Sequence, residues 1–138
     1  MTESSALAAE HAAIYAYGAI GARLTGSAAT AARNAEAAHR DRRDALVSQL
    51  AKDGGTPAPP DPAYALPYPV TDQATALKLA VEIEERTAAV WRSELAETTG
   101  ERRKASLDAL VDCALRATSF RRAAGVTPTT VAFPGKPT

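Results

Sequence analysis

The sequence predicts an all-α fold, a bundle of four helices arranged as two antiparallel hairpins with a long proline-rich segment between them. Three observations carry that expectation. Alanine dominates a chain that is 46% hydrophobic and only 5% aromatic, and alanine joins the best helix propensity to a side chain small enough for backbones to approach. Apolar residues recur at steps of three and four rather than alternating. Six of the nine prolines crowd between Pro57 and Pro69, and Pro128, Pro134 and Pro137 follow near the C-terminus. Proline breaks helix interiors, so the four proline-free stretches are the helices.

The first is expected over residues 4–24, with Leu7, Glu10, Ile14, Tyr17, Gly21 and Leu24 on one face. Thr25-Gly26-Ser27 ends it. The second spans 28–52, with Ala32, Glu36, His39, Arg43, Leu46 and Leu50 on one face, and Gly54 and Gly55 stop it. The third, 72–97, opens at Asp72 as N-cap and aligns Leu77, Ala80, Glu84, Ala88, Trp91 and Leu95. The fourth, 101–124, opens with a capping-box pattern, Thr98-x-x-Glu101, and closes at Gly125. Ala109, Asp112, Cys113, Arg116 and Phe120 share its inner face. A C-terminal tail, 126–138, carries Val131 and Phe133 among its prolines. It is read either as a strand-like segment folded onto the bundle or as a segment offered to a partner.

Short links between helices 1 and 2, and between 3 and 4, make each pair a hairpin. The segment 54–71 is different. About seventeen residues of extended polyproline reach roughly 50 Å, whereas a helix of about 22 residues is only ~33 Å long. The segment therefore suffices as a crossover that starts helix 3 parallel to helix 2, the ferritin-like arrangement. At 138 residues the chain is expected to be one domain, 1–138, with a core of its own.

Formal net charge is zero, with 16 basic and 16 acidic residues, so a phosphate-neutralising surface is not expected and nucleic acid is an unlikely partner. Basic clusters at Arg40, Arg42 and Arg43, at Arg102, Arg103 and Lys104, and at Arg121 and Arg122 are read as solvated faces. The single cysteine, Cys113, excludes an internal disulfide. It is read as a small buried hydrophobe rather than a nucleophile. The first ten residues lack the pattern of a secretory signal, and no apolar run reaches the ~20 residues that span a bilayer. A cytoplasmic protein without membrane contact is the expectation.

The inner faces carry unusual polar residues. Di-iron bundles take one glutamate from each of two helices and a Glu-x-x-His from each of the other two. Here helix 1 offers Glu10, helix 2 offers Glu36-Ala37-Ala38-His39, and helix 3 offers Glu84. Helix 4 reads Asp112-Cys113-Ala114-Leu115, without the second histidine. Tyr17, two turns beyond Glu10, is placed to hydrogen-bond a carboxylate near the centre, and His11 is read as a boundary residue or replacement ligand. Glu10, Glu36, His39, Glu84 and Asp112 thus form a candidate partial metal site for iron or another divalent ion. The competing reading is a metal-free network in which Arg43, Arg116 and His39 neutralise those carboxylates.

Segments spread along nearly the whole chain carry a family resemblance. They are Ala8-Ala9-Glu10-His11 with Tyr15 and Tyr17, Ala38-His39-Arg40 with Arg42-Arg43-Asp44-Ala45-Leu46, Tyr64-Ala65-Leu66-Pro67, Leu79-Ala80 with Glu84-Glu85, and Val131-Ala132-Phe133-Pro134-Gly135. The chain resembles the actinobacterial ferritin-like family known as DUF4439, a domain of unknown function. The resemblance implies the ferritin-like fold and a cytoplasmic bacterial setting, and no reaction. The functional expectation is a non-catalytic binding or structural module with a degenerate di-iron site, more a non-enzyme than an enzyme. The alternative is an iron-binding protein or di-iron-type oxidoreductase using the partial ligand set. An unidentified protein partner, or self-association of the alanine-rich helices, is the expected kind of contact.

Overall fold

A computed structural model describes residues 3–137. It contains four helices, α1 (Glu3–Gly21), α2 (Gly26–Lys52), α3 (Gln73–Glu97) and α4 (Gly100–Ala124), and no strand among the described residues. None of these helices is long and apolar enough to cross a membrane.

Local chemistry sets the boundaries. α3 begins where Asp72 accepts a hydrogen bond from the Thr75 backbone N–H at 2.8 Å, and the Thr75 hydroxyl answers the Asp72 N–H, a complete capping box. The box expected at Thr98-x-x-Glu101 does not form. Thr99 is the N-cap of α4 and makes no side-chain cap bond, while the Thr98 hydroxyl donates back to the Glu94 carbonyl at 2.7 Å. α1 stops at Gly21, three residues short of expectation, because the chain turns through Arg23 N–H to Ile20 O. Leu24 remains buried even so. Gly125, at φ 72°, lets the chain leave α4 through the left-handed region that glycine adopts without penalty.

The helices pack through two apolar clusters, one toward each end. Ala13, Tyr17, Ile20 and Leu24 of the first hairpin join Ala32 and Ala35 of α2, Leu77, Leu79 and Ile83 of α3, and Phe120 of α4. At the other end Ala6 and Leu7 meet Leu46, Trp91 and Ala109. Leu7, Ile20 and Leu79 are essentially without exposure, each contributing about 1.5–3 kcal/mol by burial. The many alanines allow α1 to lie close to both α2 and α3, and α3 to α4, whereas α2 and α4 meet only weakly. Between the clusters the interior is polar.

The connection between α2 and α3 packs along α1. The Ala58 carbonyl accepts from His11 at 3.1 Å, the Tyr64 ring lies 5.4 Å from Tyr15, and Leu66, Tyr68 and Val70 rest on the first cluster. The C-terminal tail is turns and bends, not the expected strand-like segment. It lies against α3 and α4: Arg121 donates to the Thr129 carbonyl, and Arg92 to the Pro134 carbonyl at 3.2 Å. Gly135, at φ 78°, sits so near α3 that a Cβ there would meet the Ala88 carbonyl oxygen at 2.7 Å.

Candidate functional site

The polar layer is built around His39. Its ring is fully buried on α2, and each nitrogen faces a different buried carboxylate: Nδ1 lies 2.6 Å from Glu10 Oε2 of α1, and Nε2 lies 2.9 Å from Glu84 Oε1 of α3. Burial by itself would push the imidazole pKa down, but the hydrogen bonds to Glu10 and Glu84 and their negative charge outweigh it. The pKa is raised to about 9. His39 is accordingly an imidazolium at neutral pH, donating from both nitrogens.

Each carboxylate has further partners. The Trp91 indole N–H donates to Glu10 Oε1 at 2.9 Å. Glu84 Oε1 also accepts from the Tyr17 hydroxyl at 2.7 Å and from Arg116 Nε at 2.9 Å. Glu84 Oε2 is buried without a hydrogen-bond partner. Burial would raise the Glu84 pKa, yet His39, Arg116 and Tyr17 together hold it below the usual carboxylate value. Tyr17 is correspondingly pushed well above the ordinary phenol value, by burial first and then by the Glu84 charge beside it.

Arg116 extends the network across α4. Its NH1 bonds Asp112 Oδ2 at 2.5 Å, and Asp112 also takes Arg42 NH2 from α2 at 3.2 Å. The Arg42 guanidinium stands 5.9 Å from the centroid of the Trp91 ring, a cation–π distance. Three carboxylates, Glu10, Glu84 and Asp112, thus face three cations, His39, Arg116 and Arg42, and the layer is electrically balanced. Low-dielectric surroundings make that balance necessary, because an unpaired buried charge is costly.

Four of the five candidate ligands are found in this network: Glu10, His39, Glu84 and Asp112. Glu36 is not among them. It lies on the outer side of α2 and pairs with Arg40 at 3.3 Å, an ordinary i, i+4 surface contact. The inward face of α2 runs through Ala32, Ala35, His39 and Leu46, so the half-turn that holds Glu36 points elsewhere. For the same reason Arg43 turns to Asp44 on the surface and Arg42 takes the inward role assigned to Arg43. His11 is buried and engaged with the Ala58 carbonyl, away from the centre. Cys113 is fully buried, its thiol pKa raised, chiefly by desolvation and then by the Glu84 charge; Arg116 NH2 lies 3.7 Å from its sulfur.

Trp91 was legible only as a member of an apolar stripe. Its indole N–H needs an acceptor when buried, and Glu84, two turns earlier on the same stripe, marked that face as polar. Among the described residues no group of three or more His, Cys, Asp or Glu side chains is arranged to hold a metal ion. Each imidazole nitrogen is directed at a carboxylate oxygen, and the remaining carboxylate contacts are largely taken by Tyr17, Trp91 and Arg116.

A family model described as a domain of unknown function, DUF4439, matches residues 2–138. No curated protein matches the chain. Among solved structures the chain is similar to a conserved hypothetical protein, rv2844, from Mycobacterium tuberculosis. The two share 34% identity over 88% of this chain and 92% of that one, with a TM-score of 0.85.

Proposed function

Starting from a chain that belongs to the DUF4439 family, we propose a non-catalytic binding or structural module on a ferritin-like bundle. Its centre is a neutralised ionic network at the position where di-iron bundles hold metal. Two features support the ferritin-like topology. Each end cluster joins the first half of one helix to the second half of its hairpin partner, and the long connection follows α1 from His11 to beyond Tyr15. A crossover on that path starts α3 parallel to α2.

One observation carries the functional reading: both nitrogens of His39 are committed to Glu10 and Glu84, with Arg116 inserted on Glu84. The residues present do not fit a di-iron centre. Glu36 lies outside the layer, helix α4 carries Leu115 where the second imidazole is expected, and the Arg116 guanidinium beside Glu84 opposes a dication. A fully buried imidazolium between two carboxylates, with the Cys113 thiol pKa raised, gives no nucleophile, and of the Glu10 and Glu84 carboxylate oxygens only Glu84 Oε2 is without a partner. A bacterial cytoplasmic setting belongs to the same proposal.

Elemental analysis of protein expressed with iron, manganese and zinc supplied tests this. Metal well below stoichiometric amounts, and no gain in melting temperature on adding any of the three, is the expected result. Near-stoichiometric metal that disappears in Glu84→Gln overturns it. The melting titration of the native chain decides the matter even if that variant fails to fold.

A further inference from the structure

α4 is apolar on two opposite sides. Its inner side runs through Ala109, Cys113, Ala117 and Phe120, all buried. At about 100° per residue, Val111 stands diametrically opposite that side, with Leu107 one turn before it and Leu115 one turn after. Leu107 is 48% exposed, Val111 47% and Leu115 66%. Three large aliphatic side chains in a row, on the side of a helix that points away from its own core, make a contact surface rather than a solvated one. The tail borders this row without covering it. It flanks α4 along Ala114, Thr118 and Arg121, and the exposed Val131 extends the apolar surface beside Leu115.

The row is complementary to itself. Leu107 and Leu115 are equidistant from Val111, and Glu101 stands ten residues before Val111 and Arg122 eleven after it. When two copies of α4 lie antiparallel about a two-fold axis at Val111, each Leu107 comes level with Leu115 of the second copy, the two leaning to opposite sides of the seam. Further out, Glu101 comes level with Arg122 of the second copy, on the same side of the seam and about 15 Å from the axis. Charge at that end balances once every neighbour is counted. Lys104 is bonded to Asp108 at 2.9 Å and lies near Glu101, so these three leave one negative charge. Arg121 is held by Glu85, whereas Arg122 forms no ion pair among the described residues. Arg103 turns to the Leu95 carbonyl on the opposite flank.

We propose that the Leu107, Val111 and Leu115 face of α4 is a homodimer surface, on which a second copy of the chain packs its own α4 antiparallel about Val111. The shallow crossing of helical bundles, about 20°, keeps Glu101 within side-chain reach of Arg122 of the second copy, whereas the steeper class near 50° separates them. A face about 30 Å long and about 10 Å wide falls well below the roughly 800 Å² per partner of a standard stable interface, so the dimer is a weak one. None of these residues takes part in the ionic layer, so the metal test and the dimer test fail independently of each other.

Sedimentation equilibrium of the native chain at low salt, from about 10 µM to about 1 mM, is expected to show a monomer–dimer equilibrium with a dissociation constant of about 10–500 µM. Val111→Lys, at an exposed position, sets two like charges on the axis and is expected to weaken the dimer about tenfold or more while leaving the melting transition near its native value. Glu101→Arg and Arg122→Glu are each expected to weaken it about threefold or more, and the double reversal to recover it. Recovery sets aside a loss of helix stability, because the double reversal is the least favourable of the three for the α4 dipole. Val111→Cys is expected to cross-link to itself on mild oxidation, and Ala37→Cys, at an exposed position of α2, is not; Cys113 is buried and does not compete. A chain that stays monomeric across the range, a dimer indifferent to Val111→Lys, a double reversal no better than either single one, or cross-linking at Ala37→Cys as fast as at Val111→Cys overturns the proposal.

Discussion

His39 Nδ1 and Glu10 Oε2 stand 2.6 Å apart with neither side chain exposed to solvent. The contact joins the first helix to the second across their hairpin, and the opposite edge of the same ring reaches the third helix through Glu84. One imidazolium therefore ties three helices together where the apolar clusters leave off.

His39→Ala is expected to cost about 3–5 kcal/mol, because two carboxylates lose a shared cation while remaining buried. Urea denaturation followed by far-ultraviolet circular dichroism measures it. The triple variant His39→Leu, Glu10→Gln, Glu84→Gln is expected to recover part of that loss, since it removes the charges as well as their link. A His39→Ala variant as stable as the native chain would mean that the layer is not an energetic pin.

Stability is expected to fall with rising pH across a defined window. His39 has its folded pKa raised to about 9 from the ordinary imidazole value of 6.5. Its contribution is then fully present below about pH 6.5 and lost as pH rises through about 9. On the acid side Glu84, held below the ordinary carboxylate value of 4.5 by His39, Arg116 and Tyr17, contributes stability that is lost as pH falls through its folded value. Denaturant midpoints measured from pH 4 to 10 should decline above neutrality in the native chain and lose most of that slope in His39→Gln.

Tyr17→Phe and Trp91→Phe each remove one donor from a buried carboxylate. A hydrogen bond to a charged group contributes about 1.5–3 kcal/mol. Tyr17→Phe is expected near the lower end, because Glu84 Oε1 keeps His39 and Arg116. Trp91→Phe is expected to cost more, because Glu10 Oε1 loses its indole partner and the second cluster loses ring volume. Chemical denaturation ranks the two, and the reverse order would contradict this distribution of partners.

Gly135→Ala is expected to free the tail and leave the helices in place. Its Cβ would stand 2.7 Å from the Ala88 carbonyl oxygen, at a φ of 78° that side chains disfavour. Limited proteolysis should cut within residues 126–137 several times faster, with little change in the helical melting transition.

The helices were legible because alanine content, proline exclusion and Asp72 as a cap all act locally. The weak point was rotation about α2. Steps of three and four fit both Ala32-Glu36-His39-Arg43 and Ala32-Ala35-His39-Arg42, and only the second faces inward. The signal for choosing lay in the pair Glu36 and Arg40, one turn apart and able to satisfy each other in water. Thr98 misled for a related reason: a hydroxyl at a helix junction can bond forward as a cap or backward to the preceding turn, and here it bonds backward. The donors from Trp91 and Arg116 depend on how three helices meet, which no local pattern encodes.

The charge balance of the layer has a consequence for how the protein comes into being. The cations facing Glu10, Glu84 and Asp112 are side chains of the same polypeptide, delivered in fixed ratio with every copy synthesised. On the metal-free reading, maturation has no loading step, waits for no delivery factor, and is indifferent to scarcity of iron in its surroundings. The cost is fixed at the same moment: a centre that carries its own counter-charges cannot be switched by withholding them.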